Sequence, residues 1–154
     1  MCSTNTEKLL LHMPKDTCNY RRMRDEALYA AFKRALSDNP RLTENEALRI
    51  ALREKQPRLW LSFYGAYRIV LEIAKGKDKP QKHLARDGVV ENIRRKYLRL
   101  RSHRTFKNSS SLFITSFIIT EPADGFYLSM SYAKRIIWKM RKQKQSLWRR
   151  PRTI

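Results

Sequence analysis

The sequence predicts an all-α protein built from two tandem three-helix units joined by a basic linker. Three observations carry this. Apolar residues recur at the three-and-four spacing of amphipathic helices along most of the chain, helix start and stop signals divide them, and a shift of 67 positions lays the second half over the first.

The first helix is read over Tyr20 to Ser37, where Ala27, Leu28, Ala31, Phe32, Ala35 and Leu36 form one face. Ser37-Asp38-Asn39-Pro40 ends it, because Asn and Asp favour a turn and the residue before a proline resists the helical region. Thr43 and Glu46 have capping-box spacing and open a second helix, with Ala47, Leu48, Ala51 and Leu52 as its buried stripe and an end near Gln56-Pro57. After the short Arg58-Leu59-Trp60-Leu61 connection, Ser62 is placed to cap a third helix carrying Ala66, Ile69, Val70 and Ile73, with Gly76 as its stop. Lys75 to Arg86 has no apolar periodicity and reads as a linker, with a boundary near residue 80.

Beyond the linker, Val89, Val90, Ile93, Tyr97 and Leu100 mark a fourth amphipathic helix, and Ser102 to Ser111 is a polar loop. The shift then aligns Trp60-Leu61-Ser62 with Tyr127-Leu128-Ser129, and Ala66, Arg68, Ile69 and Val70 with Ala133, Arg135, Ile136 and Ile137. It also sets Thr43 opposite Ser110 and Glu54 opposite Glu121. Leu112 to Thr120 has the residue preferences of a strand. The repeat makes the same segment a helix, ended by Pro122 to Gly125, and that reading is preferred. The resulting division is an N-terminal arm 1–19, units 20–77 and 88–146, a linker 78–87 and a basic tail 147–154.

The 154 residues include 34 Lys and Arg against 14 Asp and Glu, a net charge of +20 that a polyanion would relieve. With 42% hydrophobic residues the charge belongs on a folded surface rather than on a disordered tail. Residues 87–154 hold 16 basic and 4 acidic side chains, and no acid follows Asp124. Cys2 and Cys18 supply neither a disulfide framework nor a zinc site, and a cytoplasmic protein, at the nucleoid or within a virus particle, is expected. The N-terminus has no signal-peptide pattern, and Leu112 to Ile119 is far shorter than a membrane span. His12, His83 and His103 lack metal-ligand or catalytic neighbours in the sequence, the four glycines form no phosphate loop, and Glu121 with Asp124 reads as a helix end. No enzyme activity, cofactor, metal or small-molecule substrate is therefore expected.

The order helix, helix, connection, basic third helix resembles trihelical helix-turn-helix domains of the homeodomain or Myb-like kind over residues 20–77 and again over 88–146. The resemblance implies a third helix that enters the DNA major groove. The connection from Gln56 to Leu61 is longer than the tight turn of those domains. On this reading Tyr64, Tyr67, Arg68 and Lys75 of the first unit face nucleic acid, the two tyrosines as exposed residues. In the second unit Ser131, Lys134, Arg135, Lys139, Arg141 and Lys142 do so, followed by Arg149 and Arg150. Arg94, Arg95 and Arg99 offer a further face able to track phosphates. Trp60 and Tyr127 are read as core anchors. Double-stranded DNA is the expected partner. RNA binding and a structural or assembly role in a virus particle or mobile element, with other protein subunits, are the alternatives.

Overall fold

A computed structural model describes residues 17–76 and 84–148, and all its regular elements there are α-helices. They are α1 (Thr17–Asp38), α2 (Glu44–Leu52), α3 (Phe63–Ala74), α4 (Leu84–Ser102), α5 (Ser111–Thr120) and α6 (Met130–Trp148). The arm up to residue 16, residues 77–83 of the linker region, and the tail from residue 149 with Arg149 and Arg150 lie outside the described residues.

The helix starts are set by hydroxyl side chains that accept otherwise free amide hydrogens. Thr43 Oγ1 accepts from Glu46 N at 3.3 Å, while Glu46 Oε2 accepts from Thr43 N at 2.8 Å and completes the capping box. Ser62 Oγ accepts from Gly65 N at 3.1 Å, Ser110 Oγ from Phe113 N at 3.2 Å and Ser129 Oγ from Tyr132 N at 3.3 Å. Residues 111–120 are helical despite their β-branched and aromatic content, because Ile114, Thr115, Ile118 and Ile119 fall on one buried face at helical spacing. Their hydroxyls turn back into the helix, Thr115 Oγ1 donating to Ser111 O at 2.7 Å and Ser116 Oγ to Phe113 O at 2.6 Å. α2 ends at Leu52, earlier than the expected Gln56-Pro57. The chain there leaves the helix for a pairing with the other half of the molecule.

That pairing joins Gln56 and Ala123 in a single antiparallel bridge, with Gln56 N donating to Ala123 O at 2.8 Å and Ala123 N to Gln56 O at 2.9 Å. On either side, Leu59 N donates to Ile119 O at 3.3 Å and Phe126 N to Leu52 O at 3.0 Å. A shift of 67 positions converts each of these hydrogen bonds into its counterpart.

The two hydrophobic clusters do not follow chain order. One contains Leu28, Phe32, Leu48 and Ala51 of α1 and α2 together with Ala133, Ile136 and Ile137 of α6. The other contains Ile93, Tyr97, Leu100, Ile114 and Ile118 of α4 and α5 together with Ala66, Ile69 and Val70 of α3. The third helix of each half therefore packs chiefly on the first two helices of the other half. The side chains of the two connecting segments go alternately to the two clusters, each segment turning at its central aromatic residue: Leu61 N donates to Leu59 O at 2.9 Å across Trp60, and Tyr127 has a left-handed backbone with φ of 53°. Leu59 and Leu61 join the α3–α4–α5 cluster while Trp60 packs against the α1–α2–α6 cluster. Phe126 and Leu128 join the α1–α2–α6 cluster while Tyr127 packs against the other. Trp60 and Tyr127 are thus core anchors that stay with their own half, Trp60 Nε1 donating to Gln56 Oε1 at 3.2 Å and the Tyr127 hydroxyl accepting from Asn92 Nδ2 at 2.9 Å.

Gly125 lies against the end of α2 at the crossing. A Cβ there would lie 2.8 Å from Leu52 O and 3.7 Å from Arg53 Cα, both backbone atoms of a helix end that cannot rotate away. Gly125→Ala is expected to push Phe126 off Leu52 O and to cost about 2–3 kcal/mol by overpacking and loss of that hydrogen bond. A thermal melt should register this as a drop of roughly 4–12 °C. A melt within a degree of the unsubstituted protein would show that the crossing tolerates separation.

Candidate nucleic-acid interface

α6 has no acidic residue, and its two faces are sharply different. Ala133, Ile136 and Ile137 are buried, with Met140 packed beside them. Opposite that stripe, at helical spacing, Ser131, Arg135, Trp138 and Lys142 are exposed, flanked by exposed Lys134 and Lys139. Arg24 anchors the start of the helix, its guanidinium donating to the Tyr132 hydroxyl at 3.1 Å and to Asp25 at 2.8 Å.

The cations of α6 differ in their partners. Arg141 pairs with Glu44 of α2 at 2.6 Å, and its guanidinium lies 5.5 Å from the centre of the Phe32 ring. That hydrogen bond holds the Glu44 carboxyl below the usual carboxylate range and raises Arg141 further. Lys144 Nζ sits 4.4 Å from the Tyr29 ring centre. Lys142 Nζ sits 3.8 Å from the Trp138 ring centre, a close cation–π contact. Lys134, Arg135, Lys139 and Lys142 have no acidic partner among the described residues.

α4 carries as many cations but uses them internally. Arg94 pairs with Glu91 at 3.0 Å, Arg95 with Asp124 at 3.4 Å, and Arg99 with Glu121. Lys96 is buried, its ammonium 3.5 Å from Ile118 O and 3.4 Å from Glu121 O, and burial lowers its pKa. Arg101 closes the following loop by donating to Ser109 O at 2.6 Å and to the Phe106 and Lys107 carbonyls, both at 3.2 Å. The expected phosphate-tracking face at Arg94, Arg95 and Arg99 is therefore largely matched by Glu91, Asp124 and Glu121.

On α3, Tyr64 is exposed beneath the Arg68 guanidinium, 5.9 Å from its ring centre, and Lys75 is exposed at the C-cap. Tyr67 departs from expectation. It is half-buried and stacked on Phe63 with ring centres 6.5 Å apart, because its position on the helix lies beside the apolar stripe. Exposed Glu72 further lowers the charge of this helix. The residues that the structure gathers into one unneutralised surface are those of α6.

Sequence reasoning overlooked Trp138. Its side chain is 61% exposed, a high value for the largest apolar residue type, and it lies at the centre of the basic face. The signal was present in the spacing, since position 138 is out of phase with Ala133, Ile136 and Ile137. Beside it an open groove of about 480 Å³ runs between α6 and the α1–α2 pair, floored by Phe32, Leu48 and Ile137 and edged by Asn45, Lys134 and Trp138. Among the described residues no helix is long and apolar enough to cross a membrane. No protein-family model matches the chain, and no curated protein or solved structure matches it either.

Proposed function

We propose that the protein is a non-enzymatic nucleic-acid-binding protein whose α6 lies on the phosphate backbone, with duplex DNA the preferred target. The carrying observation is that Lys134, Arg135, Lys139 and Lys142 are all exposed on one helix and have no acidic partner among the described residues. Like charges held that close repel one another unless a polyanion neutralises them. On the same reading the fold consists of two three-helix repeats that exchange their third helices. The caps, the Gln56–Ala123 bridge and the buried stripes that correspond at 67 positions support it.

A structural or assembly role rests on another surface. Phe113 and Phe117 are 50% and 37% exposed and pack edge-on with ring centres 5.1 Å apart, against Phe106. Such an apolar patch suits a protein subunit. Mobility shifts with matched duplex DNA, single-stranded DNA and structured RNA at two salt concentrations decide between these. Duplex binding that weakens steeply with salt is expected, tighter binding to RNA would move the proposal to that target, and equally weak binding to all three would favour assembly.

A further inference from the structure

We infer that the groove beside Trp138 takes one unpaired nucleobase, which stacks on the indole while Lys134 and Arg135 hold the neighbouring phosphates. The inference rests on the nucleic-acid reading of α6 and adds to it the form of the ligand. The indole is 61% exposed and one of its faces carries the Lys142 ammonium, at 3.8 Å from the ring centre. An exposed tryptophan on a surface helix is ordinarily a liability, and here it stands among four cations that have no acidic partner among the described residues. A ligand that satisfies both must offer a flat π-face and a negative charge a few ångströms apart, as a nucleotide does. The groove of about 480 Å³ has room for a single base, and its apolar floor with Asn45 at the edge matches a heterocycle with polar rim atoms. Duplex DNA without distortion offers no such base, because its rings are stacked on one another. An acidic peptide fits less well, since it brings the negative charge without the flat π-face that the exposed indole would stack on.

The test uses the full chain and three fluorescent probes: a perfect duplex, the same duplex with one single-base bulge, and a polyglutamate peptide of similar charge. The bulged duplex should bind about tenfold more tightly, the size of one base–aromatic contact. Trp138→Ala should erase that preference, so that bulged and perfect duplexes bind alike, with the thermal melt unchanged, and Trp138→Phe should keep most of it. In a Trp60→Phe, Trp148→Phe background the remaining indole fluorescence should be quenched by the bulged probe. A preference that survives Trp138→Ala, or no preference at all, overturns the base site and leaves phosphate binding by α6 standing. Tight, Trp138-dependent binding of polyglutamate overturns it in favour of an acidic protein partner. Failure of both nucleic acids to bind removes the nucleic-acid reading as well.

Discussion

A fragment ending at residue 76 is expected not to fold as a monomer, nor is its complement beginning at residue 77, whereas an equimolar mixture of the two should recover helicity and a cooperative melt. The reason is the exchange of third helices. Without the second half, α1 and α2 are deprived of Phe126, Ala133, Ile136 and Ile137 in their cluster, and the Leu59, Ala66, Ile69 and Val70 face of α3 is left in water. Three large side chains at about 1.5–3 kcal/mol each make a loss of roughly 5–9 kcal/mol per cluster, comparable with the whole stability of an ordinary domain. Isolated helices of this length are also marginal in water without a packed face. Far-UV circular dichroism of each fragment and of the mixture, with sedimentation to give the mass, provides the readout. A fragment that self-associates through the same exchange fits the packing, because the hydrogen bonds at Gln56 and Ala123 are equivalent in the two halves. A folded monomeric fragment of residues 1–76 would contradict it, since such a species requires α3 to pack on α1 and α2.

Replacement of Arg135, Lys139 and Lys142 by Ala should reduce the log–log salt dependence of DNA affinity by about 0.9 for each phosphate that is no longer neutralised, close to three in total if each side chain neutralises one. Affinity should fall for every duplex sequence alike, because binding to phosphates carries no base information. Fold and stability should be retained. All three side chains are exposed and lack acidic partners among the described residues, so truncation should cost about 0.5 kcal/mol or less each, and the removal of mutual repulsion acts in the opposite direction. Arg95→Ala with Arg99→Ala is the informative control. Those guanidiniums already face Asp124 and Glu121, and their removal should change the slope little. A slope unchanged by the α6 substitutions and lowered by the α4 pair would place the phosphate surface on α4.

The sequence by itself determined the local architecture, because local architecture depends on neighbours three and four positions apart. Capping hydroxyls at Thr43, Ser62, Ser110 and Ser129, and buried stripes such as Ala66, Ile69 and Val70, are legible at that range. So is the helix over residues 111–120, where correspondence with the first half outweighed strand propensity. The concentration of unopposed cations on α6 was legible for the same reason, since no acid follows Asp124. Only the tertiary structure decided which stripe meets which. An apolar face has no address, and the spacing of Ala66, Ile69 and Val70 names no partner for α3. The choice is made at the crossing, by backbone hydrogen bonds between Gln56 and Ala123 and by connecting segments whose alternate side chains enter different clusters. The same distance in sequence hid the neutralisation of α4, where Arg95 and Arg99 find Asp124 and Glu121 more than 20 positions away. Pairing across such separations depends on where the folded chain brings its helix ends, and residue spacing along a single helix contains no record of it.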